Sequence, residues 1–162
     1  MSDDWFVVNV ADAPWVTSEG RGDACIFEDD EHEFEQIGYT LAVLQPGQSG
    51  GRYHRELDNQ EDFLVLAGEC IAIVENEELH LKQWDFVHCP KGTAHIFLGA
   101  GEGPCLLFCA GSRQSRNIVY VRNELALRHG VSVETDTTQG SEAYAGLPKW
   151  EPGRRVDWPL PG

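Results

Sequence analysis

The chain has 162 residues, 41% of them apolar, with a formal charge of −15. That length suits one domain with a continuous core, and no apolar run approaches the ~20 residues of a membrane span. So acidic a surface repels phosphate backbones and anionic lipid, which argues against nucleic-acid and membrane partners.

The chain opens Met1-Ser2-Asp3-Asp4-Trp5, acidic where a secretory signal is basic and then apolar, so the expectation is a cytoplasmic protein. Residues 1–36 are expected to hold one or two strands, Phe6 to Val10 and Ala24 to Phe27, and an acidic loop. That loop, Glu28 to Glu35, is nearly all carboxylate around His32 and reads as a solvated face rather than a second cation site. Residues 37–121 then read as short strands separated by turn residues. Ile37 to Leu44 is β-branched and aromatic and ends at Gln45-Pro46-Gly47. Phe63 to Leu66 turns at Ala67-Gly68-Glu69 into Cys70 to Val74, with Glu75 to Glu78 as a hairpin tip. Leu79 to Lys82 alternates apolar and polar with period two, the mark of a half-buried strand. Phe86 to Cys89, His95 to Leu98, Cys105 to Ala110 and Ile118 to Val121 complete the series. Such a run predicts an all-β antiparallel sandwich or barrel and not βαβ units. Residues 122–162 give a short helix, Asn123 to Arg128 with a glycine stop, and then an extended Pro- and Trp-rich arm. That arm is expected to pack on its own barrel or on a neighbouring subunit, since its tryptophans would otherwise stand in water.

The five cysteines, Cys25, Cys70, Cys89, Cys105 and Cys109, include no C-x-x-C pair, and their odd number argues against a disulfide framework. On one strand, Cys105 and Cys109 would lie roughly 13 Å apart, beyond disulfide reach. Buried reduced thiols are the better reading.

Chemistry concentrates in two segments. His54 and Glu56 are two apart and so share a strand face, and Glu61 follows a polar turn. His95 follows Pro90-Lys91-Gly92 at the start of a new strand. On one β-framework, His54, Glu56, Glu61 and His95 could surround a single divalent ion, and imidazole with carboxylate suits Zn, Mn, Fe, Co or Ni. Two bound glutamates would cancel the ion's charge and weaken its Lewis acidity. With one, the set resembles the two-His-one-carboxylate arrangement. Glu56 can be read as the fourth ligand or as a catalytic general base beside the metal. His88 is a candidate to support the site from behind. Tyr53, Trp84, Phe86 and Phe97 read as packing aromatics, and His32, His80 and His129 as surface residues. A Cys89–His88 thiol–imidazole pair fails, because adjacent strand residues face opposite ways.

These segments resemble the paired motifs of the cupin superfamily. The first motif runs from His-x-His to a glutamate and then a glycine, and here it gives His54-Arg55-Glu56, Glu61 and Gly68. The second runs from a glycine through Pro-x-Gly to a histidine, and here it gives Trp84, Pro90-Lys91-Gly92 and His95. The chain departs at Glu56, where the second histidine stands, at Trp84 in place of glycine, and at Gly99 in place of a frequent asparagine. The resemblance covers roughly residues 38–111 and implies a double-stranded β-helix, a jelly-roll barrel with an internal metal site, commonly a homodimer. The expected function is a metal-binding cupin that acts on or binds a small oxygen-rich molecule. The alternative is a non-catalytic module that binds or senses a small ligand, and the residues leave open whether the chain is an enzyme.

Overall fold

The computed structural model describes residues 5–154; the acidic start at 1–4 and the end of the arm at 155–162, with Trp158, lie outside the described residues. The strands are β1 (Trp15–Ser18), β2 (Gly22–Cys25), β3 (Ile37–Leu44), β4 (His54–Glu56), β5 (Glu61–Ala67) and β6 (Glu69–Val74). They continue as β7 (Glu77–Lys82), β8 (Phe86–Cys89), β9 (His95–Ala100), β10 (Cys105–Ser112), β11 (Ile118–Tyr120) and β12 (Glu151–Pro152). Two short helices, α1 (Glu124–Arg128) and α2 (Gly140–Ala143), follow β11. One sheet has the order β12-β1-β2-β3-β10-β5-β8 and the other β11-β4-β9-β6-β7, every pairing between named strands being antiparallel. Among the described residues no named strand of one sheet pairs with a named strand of the other, and an isolated parallel bridge joins Pro46, just past β3, to Gly99 of β9, so the jelly roll is an open two-sheet sandwich.

Period-two alternation sorts the side chains into three clusters. Phe63, Val65, Cys70, Ala72, Phe97 and Leu107 meet between the sheets. The residues between them in sequence face outward. Ile73, Ile96 and Leu98 pack beneath Ala126 of α1 and Val131, while Leu41, Val43 and Leu106 are covered by Ala13 and Trp15. Each fully buried aliphatic or Phe side chain contributes about 1.5–3 kcal/mol, so both chain ends help hold the sandwich. Asn123 caps α1, its Oδ1 accepting from Ala126 N–H at 2.9 Å. The arm lies along β1, with Gly153 N–H donating to the Trp15 carbonyl at 2.8 Å. Arg21 sits between the rings of Tyr144 and Trp150, 4.7 Å from each. All five cysteines are free thiols, and among the described residues no helix is long and apolar enough to cross a membrane.

Two expectations are corrected. Phe6 to Val10 is not a strand. A turn at Asn9, whose carbonyl accepts from Asp12 and Ala13, breaks the segment, and Val8 and Val10 pack on the sheet without pairing to it. Trp84 and Phe86 are not core aromatics: they are 66% and 62% exposed beside edge strand β8. Trp84 has φ of 75°, a left-handed conformation that glycine adopts freely and a bulky residue does not. Trp84→Gly is therefore expected to raise stability by about 1 kcal/mol, read from the urea midpoint.

Gly99 has a packing explanation. A Cβ there would meet the Gln45 and Leu44 carbonyl oxygens at 2.3 and 2.6 Å. Both are backbone atoms, so Gly99→Ala is expected to cost about 1–3 kcal/mol in thermal unfolding.

Candidate metal centre

Strand β4 is three residues long and held from both sides. It pairs with β11 along one edge, and with β9 along the other, where His54 stands directly opposite His95. The turn before β9 is closed by Thr93 N–H donating to the Pro90 carbonyl at 3.1 Å, with Gly92 at φ 81°. A positive φ at the third turn position defines a type II turn and favours glycine. Gly92 N–H donates to the Glu56 carbonyl at 2.7 Å, tying that turn to β4. Glu61 comes from the facing sheet as the first residue of β5, between Cys89 and Gly111.

His54, Glu61 and His95 bring one donor atom each to within 4.8 Å of one another. Glu61 Oε2 lies 3.0 Å from His95 Nε2 and 3.6 Å from His54 Nε2. The opposite ring nitrogens fix the tautomers. His54 Nδ1 is 2.7 Å from the Arg52 carbonyl, and His95 Nδ1 is 3.0 Å from the Thr93 carbonyl. A carbonyl only accepts, so each Nδ1 carries the hydrogen and each neutral ring turns an Nε2 lone pair toward Glu61. His95 is 3% exposed, and neither its Nε2 nor Glu61 Oε2 has a hydrogen-bond partner. Orphaned polar atoms at such depth cost about 1–3 kcal/mol each, and a cation among the three relieves the cost. A carbonyl on Nδ1 is also the contact that orients metal-bound histidines. The donor set thus fits a first-row divalent ion.

Charge follows from this geometry. Burial pushes the Glu61 carboxyl up, but the facing His54 and His95 outweigh it and hold it at about 2. Burial lowers His54, and contact with Glu61 more than reverses that, leaving its pKa raised. The pairing becomes a true hydrogen bond only in the imidazolium form, which alone carries an Nε2 hydrogen.

Glu56 stands apart from these three. It lines the cavity, yet its Oε2 accepts from Asn59 Nδ2 at 2.5 Å. Burial raises its pKa, the Asn59 bond pulls the other way, and the charge of Glu61 adds to the rise. Asn59 is 4% exposed and itself fixed, donating to the Ser115 carbonyl at 2.7 Å and accepting from Gln114 N–H at 2.8 Å. In the sequence it reads only as a polar turn residue. Cys109 also lines the cavity, its thiol pushed up by burial and by Glu61. Its parity with Gly111 on β10 was the available signal.

The other candidates lie elsewhere. His88 faces outward and pairs with Asp62 at 2.6 Å, while Val87 and Cys89 pack inside. Tyr53 is buried on the outer face, donating to the Glu75 carbonyl at 2.5 Å. His80 and His129 both approach Glu78, and His32 pairs with Asp29 on the acidic loop. From Glu56 and Glu61 a cavity of about 1400 Å³ opens past Phe34 to that loop.

The family described as cupin domain matches residues 40–111. Quercetin 2,3-dioxygenase from Bacillus subtilis (strain 168) is 28% identical over 91 residues, which are 52% of this chain and 27% of that protein. The match therefore spans about a quarter of that relative's length. Among solved structures, one described as a predicted oxalate decarboxylase from Thermotoga maritima aligns with a TM-score of 0.55 at 22% identity, covering 66% of this chain and 97% of that one. An uncharacterized conserved protein with a double-stranded beta-helix domain from Klebsiella pneumoniae aligns with a TM-score of 0.57 at 17% identity, covering 71% and 96%. These two likenesses are of fold.

Proposed function

We propose that this chain, whose residues 40–111 match the cupin domain family, holds one divalent first-row metal ion on His54, Glu61 and His95, facing a small oxygen-bearing molecule in the cavity. One observation carries the reading. Two imidazoles, with their Nδ1 hydrogens engaged by carbonyls, aim their lone pairs at a carboxylate oxygen that has no donor.

When bound, the ion supplies Lewis-acid activation of an oxygen ligand. The chain's own residues do the rest. His54 and His95 are neutral donors, and Glu61 contributes a single negative charge. Glu56, raised by burial and held at the cavity wall by Asn59, is the proton acceptor for the bound molecule. Zn, Mn, Fe and Ni all suit these donors. The Bacillus relative is a dioxygenase by name, which makes oxygen chemistry the first to try.

The test is elemental analysis of protein purified without added metal. Close to one ion per chain is expected, and its loss from His95→Ala. A chain that contains no metal and takes none up on titration sinks the reading. Iron with oxygen uptake driven by phenols or small acids would assign a dioxygenase, whereas tightly held metal without turnover would assign a binding module.

A further inference from the structure

Glu56 shares a face of β4 with His54 and lines the cavity together with Glu61. Yet the donor atoms that gather within 4.8 Å of one another come from His54, Glu61 and His95, without it. Its carboxylate is turned instead to Asn59, in the turn that joins β4 to β5.

Every polar atom of the Asn59 amide is committed. Nδ2 donates to Glu56 Oε2 at 2.5 Å and to the Ser115 carbonyl at 2.7 Å, while Oδ1 accepts from Gln114 N–H at 2.8 Å. A flipped amide would set Oδ1 against a carboxylate and a carbonyl, so the orientation is fixed. The residue is 4% exposed, too deep for water to replace a broken bond. The turn itself is tied to the segment between β10 and β11 by other bonds. Asp58 Oδ2 accepts from Ser115 Oγ at 2.6 Å and from Asn117 Nδ2 at 3.2 Å, and Leu57 N–H donates to the Asn117 carbonyl at 2.9 Å. The hydrogen that Asn59 gives to Glu56 adds nothing to that tie. It acts on the carboxylate alone.

We propose that Asn59 is a positioning residue that keeps Glu56 out of the metal's ligand set and so leaves a coordination position to the bound molecule. The assignment rests on the metal reading above. A carboxylate beside a divalent ion is drawn to it by charge, and a competing donor on a rigid mount holds it at the wall.

The test loads the full chain with cobalt(II) and reads two affinities. One is that of the metal, by competition with a chromophoric chelator. The other is that of acetohydroxamate, a bidentate oxygen donor, for the loaded protein, by visible absorption. Asn59→Ala releases Glu56 to the ion, so metal affinity is expected to rise about tenfold, the scale on which groups behind the ligands act. Acetohydroxamate affinity is expected to fall about tenfold, because Glu56 then competes for the same position. In a Glu56→Gln background the change at Asn59 should move neither, since an amide is a poor ligand. Asn59→Ser serves if the alanine variant does not fold. One hydroxyl hydrogen cannot hold both Glu56 and Ser115, so the two affinities should again move apart. Affinities that move in the same direction, that stay at the parent values, or that move apart equally in the Glu56→Gln background overturn the assignment. The same pattern from Asp58→Asn also overturns it, because general loosening of the turn would then suffice. A parent chain that takes up no cobalt overturns the metal reading and the assignment with it.

Discussion

Glu61→Gln is expected to lose metal affinity by at least about a hundredfold while its metal-free fold stays as stable as the parent, or more stable, at pH 9. At that pH the parent turns two imidazole lone pairs and a carboxylate oxygen toward one another with no cation among them. Glutamine keeps the shape and adds an amide N–H that donates to an Nε2. Satisfying even one orphaned atom recovers about 1–3 kcal/mol. Metal binding suffers for the reverse reason, because a neutral amide is a poor ligand and removes the one formal charge in the set. Calorimetry of chelator-treated proteins gives the first quantity, and competition with a chromophoric chelator the second. A residue that merely paired with an imidazolium would behave differently, its glutamine variant binding metal nearly as well as the parent. That result, or a large fall in melting temperature at pH 9, would count against the metal role.

The sandwich was legible because alternation is a local signal. Phe63 and Val65 face in while Asp62 and Leu64 face out, and Gly68 and Gly92 mark turns whose φ is positive in the structure. The spacing of His54, Glu61 and His95 was legible for the same reason, since strand parity and a type II turn fix where each side chain emerges. What escaped depends on neighbours distant in sequence. Parity separates the two faces of β8 but does not say that nothing covers the outer one, so Trp84 and Phe86 read as core. Val8 and Val10 show the apolar spacing of a strand, yet they satisfy it by packing alone. The pairing of Glu151–Pro152 with β1 is two residues long and crosses nearly the whole chain, so no local pattern announces it. Glu56 shares a face with His54 as expected. Its attachment to Asn59 depends on the Ser115 and Gln114 backbone, far along the chain.

Metal affinity should fall about tenfold per pH unit once the pH drops below the raised pKa of His54, with about one proton released per ion bound. The sign follows from the two shifts. The folded pKa of His54 lies above its ordinary 6.5. In the metal-free chain its contribution is therefore fully present below 6.5 and disappears as the pH rises through the raised value. Glu61 runs the other way. Its stabilisation is present above 4.5 and is lost only as the pH falls toward about 2. The metal-free protein accordingly gains from the pair between these ordinary values, where a proton on His54 stands in for the ion, and loses that help at higher pH. Metal should raise the melting temperature little at pH 5.5 and increasingly up to pH 8.5, each tenfold gain in affinity adding about 1.4 kcal/mol at fixed excess of ion. Titration calorimetry in two buffers of different ionisation enthalpy counts the proton. A metal-induced shift independent of pH, or binding with no proton release at pH 6, would mean that the ion and the proton do not compete for His54. Because Glu61 stays ionised across this range, the dependence comes from imidazole protonation, and the raised pKa of His54 sets where it begins.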